Sequence, residues 1–473
     1  MGLAFPARAC QTAGMPKSGG DKSRKKGRRA GGPRLTPGLP GDLAIFDSVI
    51  SEALASGGAE LLRVEDPLEA EEWASGLLGM FYKMPLPYED SVALERSVGP
   101  VLVRGAESMR NAKGLAILCA LAAVTGDDIG AAAGAARMSA RGVPRPRWAD
   151  VVGAPEFLEG WAMADHYGDQ IGYYLTFRYP GRAPHLIMAL YDENLGGIIK
   201  DAFVADLGKM PDLRERLASD PDAVVYDVTL EEAAARIEAA LATNDLYLDN
   251  DWTSDFKHTR ALLRARLRPF APARDIPARD IPARDIPARD QAVQGFTEDE
   301  EEEPYDDAAV EALIQEFLAS PLAPRREETL PIVDHCVIAR CDYGDGDPLR
   351  WSPIVVELFM LDYLPRHVTL SPQEIDGLPD VLTAWVRFAL GKRGLAERFI
   401  VETEEAVREM TAEFRDAMND PERSGMAKRV AAAMRADGVD VMDQKAVEAW
   451  LADFNARPDE EREQFFGDSL DFY

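Results

Sequence analysis

The sequence predicts an α+β N-terminal half, with helices carrying a small, mostly antiparallel sheet, and an all-α C-terminal bundle, joined by a disordered linker. Three observations predict it. Residues Pro272 to Asp290 spell PARDI-PARDI-PARDI-PARD and are followed by the acidic run Glu298 to Glu303. Before the repeat, apolar residues recur at helical spacing to about Ala149 and then give way to aromatic and β-branched runs. After it, helical spacing returns and persists to the end of the chain.

Taken in order, residues 1–41 form a disordered basic tail, 42–268 an α+β domain (helical over 42–149, sheet-containing over 150–268), 269–305 the linker, and 306–473 the all-α domain. Ile45, Phe46, Val49, Ile50 and Leu54 share one helical face and stop before Gly57-Gly58, read as a C-terminal stop. Asp66-Pro67 opens a second helix with Trp73, Leu77, Leu78 and Phe81 on one face, closed by Pro85 and Pro87. Met109 to Val124 and Ile129 to Ala140 add two alanine-rich helices. Ile171 to Tyr179, the turn Pro180-Gly181, and His185 to Tyr191 spell a β-hairpin, with further strands at Ile198 to Val204 and Val224 to Val228. Thr229 caps a helix from Leu230 to Ala242, and Ala261 to Leu267 makes a basic helix.

Proline every fifth residue removes backbone donors, and the repeated Arg and Asp offer no apolar face, so Phe270 to Tyr305 is a tether. As flexible coil its ends lie roughly 30 to 40 Å apart. Beyond it, Val310, Leu313, Ile314, Phe317 and Leu318 mark one helix. Trp351-Ser352-Pro353 starts another, whose apolar run from Ile354 to Leu364 belongs at the centre of the bundle. Val381 to Leu390, Ala396 to Met418, Met426 to Met434 and Gln444 to Phe454 complete the bundle.

Composition bounds the function. At 473 residues the chain suits two or three domains, and 46% hydrophobic residues suffice for ordinary cores. A net charge of −29 disfavours broad attraction to nucleic acid or anionic membrane. Four scattered cysteines fit a reducing compartment better than a disulfide scaffold. The longest apolar stretch, Gly114 to Val124, is about half a membrane span, and the first residues lack a secretory pattern. A cytoplasmic protein with no membrane partner is expected, with Met15 a candidate for the true start.

From Met15 the chain is basic and glycine-rich, with eight Lys or Arg between Lys17 and Arg34 against one Asp21. Lys22, Arg24, Lys25, Lys26, Arg28 and Arg29 suit a nucleic-acid arm, although no aromatic lies among them to stack a base; a solubilising terminus fits the same composition.

No phosphate-cradling loop, HExxH, GxSxG or paired CxxC is present. The metal candidates are His335, Cys336 and Cys341, which offer zinc-type nitrogen and sulfur donors. His335 and Cys336 are adjacent, however, and on a strand would point to opposite faces; a polar loop beside buried thiols is the plainer account. Asp342, Asp345 and Asp347 miss the calcium-loop pattern. The candidate catalytic set surrounds the hairpin: Asp165, His166, His185, Asp192, Lys200 and Asp201, with Asp169 and Asn194 nearby. His–Asp pairs suit general acid–base work, but Asp and Asn in turns also cap backbone, and charges line the wet face of any sheet. No cofactor is called for.

The phrases GVPRPRWADVVG (Gly142 to Gly153), YGDQIGYYLTFRYPG (Tyr167 to Gly181), ALYDENLGGIIKDAFV (Ala189 to Val204) and DPLRWSPIVVELFMLDYLPRHV (Asp347 to Val368) resemble a group of uncharacterised proteins of high-GC actinobacteria. The resemblance spans most of both halves and implies no activity or site residue. The expected function is that of a non-catalytic, two-module protein-interaction or regulatory factor with an unidentified protein partner. A hydrolase or transferase using the hairpin cluster, and a nucleic-acid factor using the arm, are the alternatives.

Overall fold

The computed structural model describes residues 41–457 apart from 211, 247–251, 271–304, 421–422, 424 and 440–442. The basic arm, the repeat and the acidic run therefore lie outside the described residues.

The N-terminal half is α+β, as its sequence predicts. Helices α1 (Asp47–Leu61), α2 (Pro67–Gly79), α3 (Tyr88–Ser108), α4 (Ala112–Thr125) and α5 (Ala131–Ala140) precede the sheet. Strands β1 (Glu156–Asp165), β2 (Gln170–Arg178), β3 (His185–Asp192), β4 (Ile198–Asp206) and β5 (Ala223–Asp227) follow, with the short helix α6 (Leu213–Ala218) before β5. Helices α7 (Leu230–Leu246) and α8 (Ser254–Leu267) close the half. The sheet runs β4-β3-β2-β1-β5, every pairing antiparallel.

One sheet face, with Ala162, Ala164, Tyr173, Leu175 and Ile187, packs against the helices in a continuous apolar core. The other, with Trp161, Met163, Tyr174, Leu186 and Met188, is covered by Leu213 of α6. Trp161 and Tyr174 are directly opposed across β1 and β2, and their rings stack at 3.9 Å. The β4 edge is closed by a side chain from α7. Asn244, fully buried, accepts from Ile199 N at 2.9 Å and donates Nδ2 to Ile199 O at 2.9 Å, so it replaces a neighbouring strand.

The C-terminal half is helical: α9 (Asp307–Ala319), α10 (Thr329–Cys341), α11 (Pro353–Glu357), a π-helical turn (Leu358–Tyr363), α12 (Leu364–His367), α13 (Pro372–Lys392), α14 (Glu397–Asn419), α15 (Met426–Ala436) and α16 (Gln444–Asn455). α9 to α14 share one core around Trp351, Phe317 and Trp385. Met434, Trp450 and Phe454 of α15 and α16 make a small separate cluster.

Local chemistry accounts for several boundaries. Asp66 accepts from Leu68 N at 3.1 Å, Ser352 accepts from Val355 N at 3.1 Å, and Ser371 with Glu374 forms a reciprocal capping box.

Four expectations need correction. Gly57-Gly58 does not end α1: the helix continues to Leu61 because these glycines are sites of close approach. A β-carbon on Gly57 would fall 2.0 Å from the Trp73 ring, and one on Gly58 2.8 Å from Lys113 Cβ. The stretch after Pro87 is α3, which keeps Pro100 within it, and the sheet begins one strand earlier than the hairpin, at β1. The residues around His335 form α10 rather than a strand or loop, since Ile332, Val333, Cys336 and Val337 turn one helical face into the core. The run from Ile354 to Leu364 is only partly central: Val355, Val356, Phe359 and Met360 are buried, whereas Ile354 is 46% and Leu358 40% exposed.

Candidate functional site

The β1–β2 turn is built on Asp165. Its Oδ1 accepts from Tyr167 N at 2.7 Å, Gly168 N at 2.7 Å and Asp169 N at 3.2 Å, and its Oδ2 accepts from Gln170 N at 2.7 Å. Gly168 takes a φ of +83°, which the tight reversal needs. A carboxylate holding four backbone donors is a turn-former with little capacity left for a substrate.

The turn lifts His166 and Tyr167 out of their own half and into the C-terminal one. Tyr167 is buried with the C-terminal core, its hydroxyl 2.9 Å from Glu402 Oε2 and 3.1 Å from Phe399 O. Arg393 Nη1 donates to Tyr167 O at 3.1 Å. The His166 ring lies 4.5 Å from that of Phe399, with Nε2 at 3.2 Å from Pro221 O. Arg398 Nη2 donates to the same carbonyl at 2.6 Å and pairs with Asp222 at 3.1 Å.

Arg350 lies beneath this seam and is 1% exposed. Its Nη1 donates to Asp169 Oδ1 at 2.6 Å and Asn194 Oδ1 at 2.8 Å, both from the N-terminal half. Its Nε donates to Asp345 Oδ2, and Arg340 Nη2 donates to Asp345 Oδ1. Two guanidiniums thus face two carboxylates in a buried, charge-balanced group. Burial works to raise both carboxyl pKa values. For Asp345, Arg350 and Arg340 outweigh it and hold the acid below the usual range, whereas Asp169 remains above it because burial exceeds the pull of Arg350. Burial also opposes the charge of Arg350, but Asp345 and Asp169 more than offset this and raise its pKa.

Of the remaining predicted residues, Asp192 and Lys200 meet, whereas Asp201 and His185 have other partners. Asp192, buried at the end of β3, accepts from Gln170 Nε2 at 2.5 Å, Lys200 Nζ at 3.0 Å and Leu195 N at 3.2 Å. Asp201, next to Lys200, turns to another element: its Oδ1 accepts from Thr253 Oγ1 at 2.6 Å and Ala202 N at 2.9 Å. His185 begins β3 and Asp192 ends it, which separates them by about 23 Å of extended chain. His185 is instead packed beside Phe177 and Tyr179, with ring centroids 6.1 and 6.2 Å away. Burial, aided by the charge of Arg266, pushes its pKa down to about 4, so the ring is neutral near pH 7. Beside it, Arg266 makes a fully buried two-pronged pair with Glu71 at 2.8 and 2.5 Å, and Glu71 also accepts from Gly153 N at 3.1 Å.

The metal candidates part company on α10. Cys336 is fully buried in the core, and burial pushes its thiol well up; His335 and Cys341 are half-buried on other faces of the helix. Burial also raises the Cys341 thiol to about 11. Among the described residues, no group of three or more His, Cys, Asp or Glu is placed to hold a metal ion.

Two open surface clefts lie among the described residues, and neither is lined by a predicted site residue. One, of ≈ 400 Å³, lies between α4 and α5 and is lined mainly by alanines with Cys119 and Arg145. The other, of ≈ 590 Å³, lies between the start of β1 and the β5–α7 connection.

Sequence reasoning missed Arg350, Arg340, Glu71, Arg266 and Asn244. The only local signal for Arg350 is a charge wedged between Leu349 and Trp351, apolar residues that are themselves buried.

No family model matches the chain, and no curated protein or solved structure matches it.

Proposed function

We propose that the chain is a non-catalytic, two-module factor that acts by binding a protein partner, in the cytoplasm. One observation carries this: the side chains best suited to acid–base chemistry are engaged in holding the fold. Asp165 forms a turn, Asp192 is held by Gln170, Lys200 and a backbone N–H, and Asp169 joins the two halves through Arg350. His185 lies far along the sheet from them, with Nε2 unpartnered in an aromatic setting. A seam that fixes an α+β body against a helical one suits a scaffold offering composite surfaces. No helix among the described residues is long and apolar enough to cross a membrane, in keeping with the absence of a membrane partner from this proposal.

The test uses the full chain. Affinity capture followed by reconstitution with the purified partner should give a saturable complex of fixed stoichiometry. Turnover of nitrophenyl ester or phosphate substrates that disappears in Asp192→Asn, with folding intact, would instead establish the hydrolase alternative.

A further inference from the structure

The ≈ 590 Å³ cleft sits where, among the described residues, the sheet leaves a strand position half filled. β5 pairs with β1 only from Trp161 to Asp165. Val228 N then donates to Gly160 O at 3.1 Å, and beyond it the chain turns away into α7. Gly160 is what lets Val228 come so close, since a β-carbon there would meet Val228 O at 2.8 Å. Residues 156–159 of β1 therefore have β2 on one side and the cleft on the other, and a register shift between Phe157 and Glu159 turns this end of the strand. About 13 Å of strand edge, room for four residues, continues the line that β5 abandons.

The lining is apolar below and acidic at the rim. Phe157, Val228, Leu230 and the 39% exposed Phe270 form the floor. Glu159, Asp227 and Glu231 form the rim. Asp227 already pairs with Arg214 at 2.6 Å, whereas Glu159 and Glu231 are in no ion pair among the described residues.

We infer that this slot takes an extended basic–apolar segment of a partner protein, added as a strand beside β1 in the place β5 vacates. The inference deepens the proposed function and rests on it. Alternate side chains of an added strand face opposite ways, so apolar residues meet the floor while Arg or Lys reach Glu159 and Glu231. Charge selects the occupant. An edge bearing carboxylates repels the same edge of a second copy and attracts a cationic strand.

The probe is fluorescein-labelled acetyl-Arg-Val-Arg-Val-Arg-Val-amide, titrated into the full chain and read by anisotropy. Saturable binding is expected, with slowed amide exchange at residues 157–160. The surface variant E159K/E231K, shown folded by near-UV circular dichroism, should bind roughly tenfold more weakly. Methylating alternate backbone nitrogens of the peptide should remove binding, because strand addition depends on main-chain hydrogen bonds.

Absence of saturable binding, equal binding of the methylated peptide, or equal binding of a Glu-Val counterpart would each overturn the inference. So would binding that emerges only when residues 272–290 are deleted, since the slot would then serve the chain's own repeat. Failure of the peptide alongside a stoichiometric protein complex removes the slot and leaves the proposed function standing. Peptide binding with no protein complex removes the function and leaves the chemistry of the slot.

Discussion

Replacing Arg350 by leucine removes the one cation shared by Asp169, Asn194 and Asp345. Asp345 retains Arg340, but Asp169 is left buried without the guanidinium that neutralised it. Breaking a buried pair from one side costs about 3–5 kcal/mol. The shape-conserving Asp169→Asn leaves the Arg350–Asp345 contact in place and is expected to cost about 1–3 kcal/mol. Because both changes remove the same contact, the double variant should fall short of their sum by about 1–3 kcal/mol. The assay is urea unfolding followed by tryptophan fluorescence, to which Trp351, the neighbour of Arg350, contributes. The chain has two large cores, so separate transitions must be fitted separately. Single losses below about 0.5 kcal/mol, or additivity within about 0.5 kcal/mol, would refute the assignment of this contact as the tie between the halves.

His185 should impose a pH dependence. Its folded-state pKa of about 4 lies below the usual 6.5, so its contribution is fully present above pH 6.5 and is lost as pH falls towards 4. The size is about 3 kcal/mol, and His185→Phe should flatten the stability difference over that window when both proteins are titrated by calorimetry. Asn244→Leu leaves the N–H and C=O of Ile199 unpaired at about 1–3 kcal/mol each and bares the β4 edge, so lower thermal stability with concentration-dependent association on size exclusion is expected. Gly57→Ala should lower the melting temperature even though alanine favours helix by about 1 kcal/mol, because the overlap with Trp73 outweighs propensity. Pairing it with Trp73→Leu should recover part of the loss.

Much of the fold was legible because its signals are local. Asp66, Thr229 and Ser352 cap helices through donors two or three residues away, and the hairpin strands declare themselves by composition. Gly57 misled because its role is tertiary: glycine reads alike as a helix stop and as a place where another element comes close. The candidate site was legible as a set of residues but not as a set of roles. Asp165 and Asp192 are chemically fit for catalysis or for holding a turn, and only the donors around them decide. Arg350 could not be found from spacing at all, since its partner Asp169 lies 181 residues away along the chain. Its neighbours reveal burial, but nothing local reveals the opposite charge.

The interlocked turn at Tyr167 changes what cleavage of the connector means. Tyr167, Asp169 and Asn194 are translated with the first half yet complete the interior of the second. A protease nick anywhere in 271–304 would cut the covalent path and leave these contacts in place, so the pieces should co-elute under native conditions and part only in denaturant. Fragments made separately would each present a wound where the other belongs, and mixing them should restore the whole. The alignment of the halves is then dictated by contacts among described residues on either side of the connector.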